Sequence, residues 1–169
     1  MEIEVKVGAL IMDPQSGTPI VVLRGVSDES VLPIWVGTYE AHAIALEIEK
    51  SVPQRPMTHD LIRNLIVEMG AVIERVVITE LRDSTFYAVI ELSSTVSQNT
   101  QKGGLTVIDA RPSDAIALAL RFSSPIWVKK SVIESAGASV SASDTDDASI
   151  DEDELAANEE WPEVIDADQ

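Results

Sequence analysis

D-A-R-P-S-D-A-I-A-L-A-L-R, Asp109 to Arg121, contains a string met earlier in the chain: Ala115-Ile116-Ala117-Leu118 repeats Ala43-Ile44-Ala45-Leu46 at an offset of 72 residues. Each copy follows three short apolar runs. Before the first lie Ile3 to Met12, Thr18 to Leu23 and Val31 to Val36; before the second lie Glu74 to Leu81, Thr85 to Leu92 and Leu105 to Ala110. Self-similarity at one offset is the mark of a repeated structural unit, here strand, strand, strand, helix. The expected fold is α+β, a mixed and mainly antiparallel sheet with helices, built by internal duplication of that unit about a pseudo-twofold axis.

Local signals fill in the unit. Ile3, Val5 and Val7 alternate with Glu4 and Lys6, and Asp13-Pro14-Gln15-Ser16-Gly17 is a turn that closes a hairpin. Glu40 to Lys50 has helical composition, with three alanines that let its backbone approach a sheet. A further helix is expected from an N-cap at Thr58 to Met69, with Leu61, Leu65 and Met69 on one stripe and Gly70 as its stop; it has no counterpart after the second copy. Ser93 to Gly104 reads as a polar, flexible connection. The last helix of the repeat is expected over Asp114 to Phe122, capped by Ser113 or Asp109, followed by a short strand at Pro125 to Val128. The string P-I-W-V occurs at both Pro33 and Pro125, and core or dimer packing explains Trp35 and Trp127 better than base stacking.

Charge divides the chain. All 12 Lys and Arg lie at or before Lys130, while 13 of the 29 acids lie from Glu134 onward, so the formal −17 reduces to −4 without the C-terminal part. A domain over 1–133 followed by an acidic tail over 134–169 is expected, the tail being too poor in apolar residues to offset its ordering entropy. Trp161-Pro162-Glu163-Val164-Ile165 is its one apolar island. Absence of cysteine excludes disulfide and thiolate chemistry, and two histidines far apart offer no zinc signature. Neither a signal peptide nor an apolar run of bilayer length is present, so a cytoplasmic protein without membrane association is expected.

Two segments share a local logic: Arg55-Pro56-Met57-Thr58-His59-Asp60 and Arg111-Pro112-Ser113-Asp114. In each, Arg-Pro precedes a hydroxyl residue at a helix start, with an acid in the first turn. Free N–H groups at such a start, beside an arginine, suit phosphate, and carboxylates nearby can hold a divalent cation against it. Helix capping and salt bridging account for the same residue types without any ligand. His42, between alanines, reads as a packed or half-exposed histidine.

L-P-I-W-V-G with E-A-x-A-I-A, then R-P-M-T-H-D-L, T-F-Y-A and D-A-R-P-S-D-A-I-A-L-A-L-R, in this order, resemble the bifunctional nuclease domain family over about Met1 to Ile133. The resemblance implies an α+β domain, usually oligomeric with a dimer favoured, found in bacteria and plants and described as cleaving both DNA and RNA. The residues matching its motifs are Glu40, Arg55, Thr58, His59, Asp60, Asp109, Arg111, Ser113 and Asp114. A nuclease of low sequence preference would bind substrate phosphate through Arg55, Thr58, Arg111 and Ser113. Asp60, Asp109 and Asp114 would hold Mg²⁺ or Mn²⁺, with His59 or Glu40 as general base and Asp60 and Asp114 in the catalytic set. No organic cofactor is expected. The rival expectation is a non-catalytic oligomeric module that binds a small anionic ligand or a partner protein, which fits the weakly acidic domain better than a polynucleotide groove does.

Overall fold

A computed structural model of the protein describes residues 1–94 and 104–143, with side chains as far as residue 137 in the last helix. β1 (Glu2–Met12), β2 (Pro19–Gly25) and β3 (Val31–Trp35) form one antiparallel meander. β4 (Ala71–Arg82), β5 (Thr85–Ser94) and β6 (Thr106–Ala110) form another. β7 (Ile126–Lys129) joins them, antiparallel to β1 and parallel to β4, giving one seven-stranded mixed sheet in the order β3-β2-β1-β7-β4-β5-β6. Each meander runs outward from β7 and leads into an eleven-residue helix, α1 (Thr38–Ile48) after β3 and α3 (Pro112–Phe122) after β6. The element order strand, strand, strand, helix therefore occurs twice. Element order alone does not establish descent of the halves from one ancestral unit. P-I-W-V lies outside the repetition, since its first copy falls on the edge strand β3 and its second on the central strand β7.

The apolar repeat A-I-A-L explains how the two helices meet. Ile44 and Ile116 are fully buried, as are Ala115 and Ala117, and the small side chains allow α1 to pack on α3 and α3 on β4 and β5. Burying a residue such as Leu23, Leu32 or Ile78 stabilises the fold by about 1.5–3 kcal/mol. The continuous apolar run at the end of β1 has a geometric cause. Pairing with β2 slips between Val7 and Ala9, so the inward face changes from Val5 and Val7 to Leu10; a bulge shifts side-chain parity by one. Gly8 sits at that slip, where a Cβ would collide with the Arg24 side chain. Arg75 spans the join between halves, bonding Glu91 on β5 through Nε (2.7 Å) and Nη2 (3.0 Å) and Glu2 on β1 through Nη1 (2.6 Å).

α2 (Thr58–Glu68) packs on α3 and β4. The stripe of Leu61, Leu65 and Met69 faces outward, 53%, 52% and 78% exposed, while Ile62 and Ile66 pack against the core. Trp35 is also half exposed, its Nε1 donating to Asp13 Oδ2 at 3.2 Å. After β7 the chain continues directly into α4 (Lys130–Ser143), a helix that crosses the expected boundary between 133 and 134. Its Ser, Ala and Gly content gave little sign of it; Val132, 2% exposed, anchors it, with Ile133 and Ala136 packed beside the core. Of the flexible connection expected over Ser93 to Gly104, residues 93 and 94 belong to β5 and residues 95–103 lie outside the described residues; of the tail expected over 134–169, residues 134–143 are helical and the rest, with its Trp161 island, lies outside them. Among the described residues no helix is long and apolar enough to cross a membrane.

Candidate functional site

Three carboxylates occupy the same place in three helices. Glu40, Asp60 and Asp114 are each the third residue of α1, α2 and α3, where the helix dipole and free amides favour an acid. Asp60 Oδ2 accepts the backbone N–H of Met57 at 2.8 Å. Met57 is thus the N-cap position of α2, and Thr58, expected to cap, is the exposed first helical residue. In α3 the cap position is Arg111, with Pro112 opening the helix, so neither Ser113 nor Asp109 caps it by a side chain. Proline suits a first position whose N–H would be unpaired. At α1 the Glu40 carboxylate folds over Gly37, where a Cβ would run into its Oε2.

The helix starts are joined by a chain of charge-assisted bonds. Arg111 donates from Nε to Asp114 Oδ2 at 2.7 Å and contacts Glu40 Oε1 from Nη2 at 2.6 Å, tying α3 to α1. Asp114 Oδ1 meets His59 Nε2 at 2.9 Å, tying α3 to α2. An ionised carboxylate only accepts, so Nε2 carries the proton and Nδ1 is the basic nitrogen of a neutral ring. The Arg111 side chain remains 66% exposed, while those of His59 and Glu40 are 10% and 14% exposed. Glu40 therefore orients Arg111 rather than standing free as a base.

A second arginine was not anticipated. The Arg121 side chain, 2% exposed, donates from Nε to Asp60 Oδ1 at 2.7 Å and from Nη1 to the carbonyls of Ala43 (3.0 Å) and Ala117 (2.9 Å), with Glu47 at 3.9 Å. It thereby fastens α1, α2 and α3 together from beneath. The available signal was its place at the end of D-A-R-P-S-D-A-I-A-L-A-L-R, a lone charge closing an otherwise apolar stretch.

The remaining expected residues are not drawn into this cluster. Asp109 is exposed on β6, opposite Val89. Ser113 is buried at 6% exposure, which removes it from any surface that a phosphate could touch. Arg55 is exposed and forms no ion pair among the described residues. His42 is exposed on α1. The expected cation site of Asp60, Asp109 and Asp114 is not assembled: among the described residues no three His, Asp or Glu side chains stand together as ligands, and Asp60 and Asp114 already engage arginines. A shallow cleft opens beside Asp60, lined by Glu47, Val52, Pro53 and Pro56. A larger cleft of about 390 Å³ lies by the far end of α3, among Val5, Val26, Leu120 and Ile126, away from all these groups.

Burial by itself would raise the Asp114 and Asp60 carboxyls. For Asp114 the bonds from Arg111 and then His59 outweigh it, and for Asp60 the Met57 amide and then Arg121 do so; both fall below 3.8. Arg111 is pushed up by Asp114 and then Glu40. A carboxyl depressed by folding contributes stability that is complete above its unfolded pKa, roughly 3.9, and is lost as pH falls through its folded value. Asp60→Asn is accordingly expected to destabilise most near neutral pH. Urea unfolding of wild type and variant should converge as the pH is lowered below about 4.

The sequence profile of the bifunctional nuclease domain matches residues 21–141, a stretch holding all three helix starts and Arg121. Two Mycobacterium tuberculosis proteins, both described as uncharacterized, are similar along nearly their whole length: MT1877 of strain CDC 1551 / Oshkosh and Rv1829 of strain ATCC 25618 / H37Rv. Each is 35% identical over 167 residues, covering 98% of this chain and 96% of its own. The similarity thus continues past the profile into the acidic C-terminal stretch. With 121 consecutive residues matched, the chain belongs to the bifunctional nuclease domain family.

Proposed function

We propose that this domain hydrolyses phosphodiester bonds of DNA and RNA with low sequence preference, at the joined starts of α1, α2 and α3. The observation that supports the reading is the continuous chain Glu40, Arg111, Asp114, His59. Arg111, fixed on one edge by two carboxylates and exposed on the other, presents guanidinium N–H groups to a phosphate. Arg55, exposed just before α2, adds a second cation, and the Thr58 hydroxyl a donor. His59, held in one tautomer by Asp114, takes a proton at Nδ1 from the attacking water, and Asp114 balances the imidazolium that results. Mg²⁺ or Mn²⁺ would need Asp60 or Asp114 to leave its arginine, so no step is assigned to an ion.

Cleavage of single-stranded DNA and RNA oligonucleotides by the full chain, with and without each metal, tests this reading beside identically prepared His59→Ala. The expected result is a loss of about 10²-fold or more in a variant that remains folded; equal rates would overturn it. A second reading, the non-catalytic module for a small anion, is favoured by the pairing of Glu40, Arg111, Asp114 and His59 with one another and by the nine-tenths burial of the His59 side chain. That reading expects phosphate to bind without any cleavage.

A further inference from the structure

α2 presents two apolar faces where a surface helix needs one. Its inner face carries His59, Ile62 and Ile66. Its outer line, four residues apart, is Met57, Leu61, Leu65 and Met69, which are 46%, 53%, 52% and 78% exposed. Val52, 90% exposed in the preceding loop, lines the cleft beside Asp60. This line begins at the cap residue beside Asp60, so whatever covers it stands next to the candidate site.

The chain itself supplies a matching occupant. Residues 144–169 hold 12 of the 29 acids and no Lys, Arg or His, and within them Trp161, Val164 and Ile165 are grouped in W-P-E-V-I. The relatives in Mycobacterium tuberculosis match over 98% of this chain, so a segment of this length is retained beyond the domain. Trp161 lies eighteen positions beyond Ser143, a span of up to about 60 Å when extended, against a radius of gyration near 14 Å for a domain of this size. Reach is not limiting, and tethering raises the effective concentration to the millimolar range. The charges agree as well: Glu159, Glu160, Glu163 and Asp166 flank the apolar group, while Arg55 and the exposed edge of Arg111 lie at the start of α2 and α3.

We propose that the C-terminal segment around Trp161 to Ile165 docks in cis on the outer face of α2, placing its carboxylates over Arg55 and Arg111. The docking does not rest on the proposed function.

The chain contains no cysteine and four methionines, two of which, Met57 and Met69, lie on the line in question. A nitroxide attached at Asp166→Cys in the full chain, with ¹³C-methyl methionine, reads the contact directly. The expected result is broadening of the Met57 and Met69 methyl signals beyond those of Met1 and Met12, abolished by Leu61→Glu. Equal behaviour of all four signals would overturn the proposal. So would selective broadening that persists when the spin-labelled and isotope-labelled chains are separate molecules, which would assign the face to a second copy. Cleavage assays on the same preparations report on the other question. Broadening, with no cleavage even by the Leu61→Glu chain that releases the segment, leaves the docking standing and removes the nuclease reading, and cleavage without broadening does the reverse.

Discussion

Arg121→Met is expected to lower the stability of the fold by about 3–5 kcal/mol, the range found when one partner of a buried ion pair is removed. The guanidinium satisfies Asp60 and two main-chain carbonyls, one on α1 and one on α3. Methionine fills a similar volume and answers none of them. Asp60 is 22% exposed and recovers some hydration, while the Ala43 and Ala117 carbonyls keep their helical N–H partners and each lose a second, charge-assisted bond worth about 1.5–3 kcal/mol. Arg121→Lys keeps the charge without the fork that reaches three acceptors, and should fall between wild type and Met. Urea midpoints of the full-length variants decide the matter. A loss under about 1 kcal/mol for Arg121→Met would show that the arginine is dispensable to the packing of the three helices. Combining Asp60→Leu with Arg121→Met should cost less than the two single changes added, because each single change strands the other's charge or bond.

How far the sequence reveals this arrangement depends on whether a feature is local. Period-two runs bounded by turns are local, and they place β1 to β6 within a few residues. The A-I-A-L repeat marks the two helices that bury against each other. Register across elements is not local. Nothing in P-I-W-V distinguishes the edge strand β3 from β7, which enters the centre between two meanders. Leu61, Leu65 and Met69 satisfy helical periodicity as well as Ile62 and Ile66 do, and the pattern cannot say which line faces α3. At the site, four of the nine residues that the resemblance points to, Glu40, His59, Arg111 and Asp114, are bonded to one another. The motifs mislead about Thr58 and Ser113, because a hydroxyl at a helix start suggests a cap, whereas here an acid at the third position accepts a main-chain N–H at α2. Asp109 sits two residues from Arg111 in sequence, yet β6 carries it to an exposed position on the sheet edge. Arg121 escapes notice because its partners lie 61 and 78 residues away.

Asp114→Asn should reduce cleavage by about 10²-fold or more while leaving most of the packing intact, and the reason lies in the count of acceptors. The carboxylate gives one oxygen to His59 and the other to Arg111; an amide has one oxygen and one NH₂. If its NH₂ faces His59, the ring must present an unprotonated Nε2 and move its proton to Nδ1, removing the basic atom from the side where it is used. If the NH₂ faces Arg111 instead, two donors oppose each other and the arginine loses the bond that aims it. Either way the formal charge that would balance an imidazolium is gone. Arg111→Met makes the complementary cut, sparing the pair between His59 and Asp114 but deleting the exposed cation, so it should act chiefly through KM. It should also flatten the dependence of substrate binding on salt, by about one phosphate contact. Steady-state rates for both variants, at two ionic strengths, separate the roles. If Asp114→Asn and Arg111→Met instead lowered kcat and raised KM by the same factors, the two residues would be acting as one structural clamp, and the proton-transfer role of His59 would have to be given up.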